Sequence, residues 1–147
     1  MANLSITGAR TPSAAFDLGR LILRLAVGAL ILLHGISKLG GGPAFGFIVD
    51  VVGKAALPSA FAYLVYVGEV LAPILLIIGL WTRAAAIVVV IDIAFAIALV
   101  QLGEFGQLNE TGGWALELQG MYLLGALAIA LLGAGRYSLG GLYGRWN

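Results

Sequence analysis

Beyond Arg20 and Arg24 near the start of the first, five ionisable side chains interrupt long apolar stretches of this sequence: His34, Lys38, Glu69, Asp92 and Glu117. Charged groups in such surroundings are costly, so each needs a partner or a task. His34 and Lys38 stand four residues apart, which puts both on one face of a helix. That cationic face attracts the three carboxylates. Three anions against one permanent cation leave excess negative charge in a poorly solvated place, so the cluster should retain a proton on a carboxyl or on His34. Such a group can bind a polar headgroup or relay protons. Glu69 carries a further signal, because Pro73 follows four residues later. A proline there has no N–H for the Glu69 carbonyl and crowds it, which predicts a kink and a backbone oxygen seeking a partner. The plainer alternative is structural. Lys38 would then snorkel outward, Glu117 would sit solvated at an interface, and Glu69, Asp92 and His34 would join helices by hydrogen bonds. Tyr63, Tyr66 and Tyr122 read as packing residues and interface anchors.

The elements that position these residues follow from composition. Of 147 residues, 61% are hydrophobic and 10% charged, and the mean hydropathy is +1.05. A soluble domain this small would have to expose much of that apolar surface to water. A net charge of +1 gives no basic face for nucleic acid. The absence of cysteine excludes disulfide scaffolds and thiol chemistry, and one histidine argues against a haem or His-based metal site. The class implied is a small integral membrane protein whose partner is the lipid bilayer.

Four segments are long and apolar enough to cross it as helices, predicting an all-α four-helix transmembrane bundle. They run over about 18–39, 61–80, 84–102 and 115–132, within a membrane domain at 18–142. Residues 1–17 form an N-terminal cytoplasmic segment and 143–147 a cytoplasmic tail. Trp81, Thr82 and Arg83 alone join the second and third spans, which must form a tight antiparallel hairpin. Arg10, Arg20, Arg24, Arg83, Arg136 and Arg145 fall on one side of this scheme, and Lys38 and Lys54 on the other. That asymmetry predicts both termini inside. In the first outer loop, Phe47, Ile48, Val51 and Val52 recur at helical spacing after Pro43, predicting a short interfacial helix over the mouth of the bundle. By depth, the ionisable residues cluster in the middle-to-outer half, with Asp92 about 14 Å along its helix from Arg83.

An ordered set of short stretches resembles the DoxX family of small bacterial membrane proteins. It comprises Leu33-His34-Gly35-Ile36-Ser37-Lys38-Leu39, Gly68-Glu69, Ile78 to Ala86, Gly113-Trp114, and Gly133-Ala134-Gly135-Arg136-Tyr137-Ser138-Leu139. The similarity covers about 18–142. One departure is Gly140, where the family tail often continues with Asp. The resemblance implies a four-helix bundle in the bacterial cytoplasmic (inner) membrane, associated with quinone-linked oxidoreductase systems. On that reading a quinone or similar amphipathic ligand binds in the outer half of the bundle, with His34, Lys38, Glu69, Asp92 and Glu117 as ligand-binding or proton-relay residues. No cofactor is covalently bound and no metal site is expected. Electron transfer would require a membrane or soluble redox partner protein, since this chain alone lacks the ligands for a redox centre. Two alternatives stand beside it: a non-catalytic anchor or assembly subunit for a partner protein, and a small-solute or proton pathway built from a homo-oligomer.

Overall fold

The computed structural model describes residues 14–144 and 146–147. Arg10, Arg145 and the first thirteen residues of the expected N-terminal segment lie outside the described residues. The described chain is helical, with an isolated bridge between Leu108 and Trp114. Helix α1 is Ala14–Lys38, α2 is Pro43–Lys54, α3 is Ser59–Ile78, α4 is Thr82–Glu104 and α5 is Glu117–Leu132.

Of these, α3 and α4 have both the length and the hydropathy to cross a membrane. A third or less of their apolar windows is buried within the protein. A core helix of a soluble domain would be mostly enclosed, so these apolar faces call for a non-aqueous surrounding. The fourth expected span is a helix of 16 residues, about 24 Å long. The first is a helix of 25 residues, about 37 Å, with charged residues at both ends.

Helix α1 packs on α3 and α5, and α4 packs on the same two, so the four long helices enclose one core. Val27 and Ile31 from α1, Leu76 from α3, Val89 and Ile93 from α4, and Ile129 from α5 fill it. Small residues set the spacing. Gly35 lies so close to the Glu69 backbone carbonyl that an added Cβ would overlap it, and a Cβ on Gly28 would stand 3.1 Å from the Pro73 carbonyl. The expected hairpin is made by Gly79 to Trp81. Gly79 closes α3 in the left-handed region at φ 72°, and its N–H and that of Leu80 donate to the Leu75 carbonyl at 2.9 and 3.0 Å.

Besides short 3-10 segments at Ser59–Tyr63 and Leu102–Glu104, two wider turns interrupt the α-helices. Val67–Leu71 within α3 and Ile97–Gln101 within α4 are π-helical, each widening its helix by one residue. The first contains Glu69 and ends two residues before Pro73. The helix expected after Pro43 is α2, which lies across the start of α3 and the end of α4. Val52 is its buried contact, Phe47 points outward, and the Phe45 ring stacks on Tyr66 at 5.2 Å.

The segment after α5 returns across the α3–α4 turn. Leu139 and Gly140 N–H groups donate to the Ile78 and Gly79 carbonyls at 3.1 and 2.9 Å. The Asn147 side-chain oxygen accepts from the Thr82 hydroxyl at 3.0 Å, and its amide donates to the Gly141 carbonyl at 2.7 Å. Within the tail expected at 143–147, Asn147 is buried and Tyr143 exposed.

Candidate functional site

The polar cluster forms where α1 ends against the π turn of α3. The Lys38 ammonium pairs with Glu69 Oε2 and also donates to the His34 carbonyl at 3.3 Å, the last turn of its own helix. Both partners of the ion pair are largely enclosed, with side chains 12% and 14% exposed. Tyr66 fixes the end of α1 by donating its hydroxyl to the Lys38 carbonyl at 2.8 Å. Four-residue spacing on α1 and the widened turn on α3 together bring cation and anion to one level.

Asp92 arrives from α4. Its carboxyl rests on the backbone of Gly68, where any Cβ would collide with it. It lies within electrostatic range of both Glu69 and Lys38. His34 is exposed and meets Tyr122 of α5 edge-on, with ring centroids 6.0 Å apart. Lys38, Glu69, Asp92 and His34 thus gather around one level of the bundle.

Glu117 does not join them. It is exposed at the first turn of α5, with its carboxyl against Gly113 in the preceding loop. A carboxylate there faces the positive end of a helix and open solvent, which accounts for a position outside the cluster.

Two cavities flank the cluster. The larger, of about 310 Å³, lies between α2, α3 and α4. Its wall is apolar, with Val52, Phe61, Val65, Val88 and Phe95 among its members, and its ionisable lining is Glu69 and Asp92. The smaller, of about 140 Å³, is lined by His34, Glu69, Gln101, Gln119 and Tyr122 with a few aliphatic side chains. An apolar pocket with a few convergent polar groups suits an amphipathic small molecule. Among the described residues no three His, Asp or Glu side chains gather as a metal-binding group.

Sequence reasoning passed over three participants. Gln101 and Gln119 both face the smaller cavity. Arg24 read as an inner-end arginine, but it is 1% exposed, its guanidinium lying on Gly79 and donating to the Tyr137 carbonyl at 2.7 Å. Its Nε and Nη1 have no hydrogen-bond acceptor. A tail contact 113 residues away encloses it, and no local pattern carries that signal.

The DoxX family model matches residues 19–102, more than half of the chain. The chain belongs to the DoxX family. Among its relatives, a Mycobacterium tuberculosis protein named "Uncharacterized membrane protein Rv3486" is 31% identical over 92% of this chain and 91% of its own length. An uncharacterised Haemophilus influenzae protein is 31% identical over 80% of this chain and 84% of its own. A Bacillus subtilis protein named "Putative oxidoreductase CatD" is 31% identical over 60% of this chain, and the match spans 63% of that relative. No solved structure gives a significant match. The apolar outer faces of the helices and this kinship make the chain a DoxX family membrane protein. The family match includes His34, Lys38, Glu69 and Asp92 and ends before α5, so both sides of the larger cavity fall within it.

Proposed function

We propose that this protein is the four-span subunit of a quinone-linked oxidoreductase system in the bacterial inner membrane. In it α1, α3, α4 and α5 all cross the bilayer, with both chain ends inside. A quinone or similar amphipathic molecule occupies the larger cavity. Its ring lies among Phe61, Val65, Val88 and Phe95, its polar edge meets Asp92 and Glu69, and its tail leaves between the outward apolar faces of α3 and α4. Lys38 holds Glu69 in place and balances its charge. The single observation that carries this reading is the larger cavity, in which two carboxylates stand at one place in an otherwise apolar wall. The name of the Bacillus subtilis relative supports oxidoreductase association, and electrons would pass to a flavin- or iron–sulfur-bearing partner, since this chain has no cysteine and a single histidine.

A photoreactive azidoquinone tests the assignment. Irradiated with the purified protein, it should attach to residues of Phe61–Gly68 or Ile91–Val100, and unlabelled quinone should compete. Attachment confined to the outer faces of α1 and α5 would refute the site and favour the anchoring role.

A further inference from the structure

The two cavities share two lining residues, Glu69 and Ala96. Asp92 faces the larger cavity and His34 the smaller. Glu69 therefore stands in the wall between an apolar chamber and a polar one. The larger chamber is flanked by strongly exposed apolar residues, among them Leu64, Ile91 and Phe95, so it borders the lipid. The smaller is lined by Gln101 near the end of α4 and Gln119 near the start of α5. It sits at the loop-bearing end of the bundle, with polar groups enough to hold a few waters.

Both helices are irregular at this wall. The π turn Val67–Leu71 contains Glu69, and the π turn Ile97–Gln101 begins directly after Ala96. A π turn gives up good hydrogen-bond geometry and rotates the following side chains out of the regular 3.6-residue register, and such turns recur at functional positions. Two of them on adjacent helices, both at the partition, open a side-chain position that regular helices would close.

We infer that Glu69 is a proton-transfer residue joining the two chambers. The inference rests on the reading of the larger cavity as a ligand site. A hydroxyl of the ligand headgroup loses its proton to the Glu69 carboxylate: the ligand O–H bond breaks and a Glu69 O–H bond forms. That bond breaks in turn as the proton passes to water in the smaller chamber or to a ring nitrogen of His34, and the carboxylate returns to Lys38. No electron moves in either step, and the reverse sequence delivers a proton to the ligand. Asp92 contacts the headgroup from the ligand side alone.

The chain contains no cysteine, so single cysteines report access directly. Glu69→Cys, Asp92→Cys and His34→Cys in the full chain, reconstituted in liposomes, are exposed to a lipid-soluble maleimide or to a charged, impermeant methanethiosulfonate. Glu69→Cys should react with both, Asp92→Cys with the maleimide, and His34→Cys with the charged reagent. Decylubiquinone at ten times its Kd should slow maleimide attack on Glu69→Cys about tenfold, because about a tenth of the sites remain free. Attack by the charged reagent should not change. Reaction of Glu69→Cys with one reagent alone overturns the inference. Two-sided reaction without quinone protection keeps the two-sided carboxylate and removes the ligand reading. The unsubstituted protein gives a second reading free of folding effects. Glu69 should be modified by both a lipid-soluble and a water-soluble carbodiimide, and modification by one class alone again overturns the inference.

Discussion

Removing the Lys38 charge should destabilise this protein more than removing its partner. Lys38→Met leaves Glu69 as an unpaired carboxylate beside Asp92, in a place where its side chain is 14% exposed. Stripping one partner from a buried ion pair costs about 3–5 kcal/mol. The residual exposure lowers that to about 2–4 kcal/mol, since some solvent screening persists. The loss of a cation at the negative end of α1 adds about 0.3–1 kcal/mol. Glu69→Gln differs because Lys38 stands at the end of its helix and can swing outward on a flexible stem, so its cost is about 1 kcal/mol. The double variant Lys38→Met/Glu69→Gln removes both charges and should return to within about 1 kcal/mol of the parent. For a chain of this size each kcal/mol moves the midpoint by about 3 °C, so the combined loss should lower the Lys38→Met midpoint by about 7–15 °C. Thermal scans in one mild detergent at one scan rate, followed by tryptophan fluorescence, give the three values. A Lys38→Met midpoint within about 2 °C of the parent, less than one kcal/mol on that scale, would refute the reasoning, as would a double variant no better than Lys38→Met.

Gly68→Ala drives a methyl group into the Asp92 carboxyl. It should cost about 1–3 kcal/mol and abolish azidoquinone labelling while the protein stays monodisperse; unchanged labelling would detach Asp92 from the ligand. Arg24→Met should stay within about 1 kcal/mol of the parent, because it replaces a buried guanidinium that has two unpartnered nitrogens with an apolar chain of similar reach. Arg24→Ala should lose about 2–4 kcal/mol by leaving a void, and equal losses in the two variants would mean that the charge itself is needed. Asn147→Ala leaves the fully buried Thr82 hydroxyl without its acceptor, at about 1–3 kcal/mol. It should also speed proteolysis after Arg136, whereas an unchanged digestion rate would show that the docked tail is held by other contacts.

The helices were legible because each is written as an apolar run bounded by glycine, proline or charge, and the four-residue step from His34 to Lys38 fixes one face without any tertiary information. The π turn of α3 ends two residues before Pro73, where the sequence predicts a kink. The facing of Glu69 was not legible. A π turn adds one residue to the helical cycle, so regular periodicity assigns the wrong direction to every side chain beyond it. Asp92 could be placed by depth, but its seat on Gly68 depends on how α3 and α4 are rotated against each other, which no local pattern encodes. Glu117 was drawn into the cluster by depth alone and belongs instead to the solvent and to Gly113. Arg24 and Asn147 depend on the returning tail, a contact between distant parts of the chain.

If the larger cavity holds a quinone against Glu69 and Asp92, that quinone should travel with the protein. The most direct measurement is the quinone that co-purifies in mild detergent, per mole of chain, beside a Leu99→Trp variant that plugs the mouth of that cavity at a partly exposed position. Near-stoichiometric quinone is expected in the parent, and its loss in the still-folded variant. Quinone no richer than in bulk membrane lipid, or retained in full by the plugged variant, would contradict the assignment.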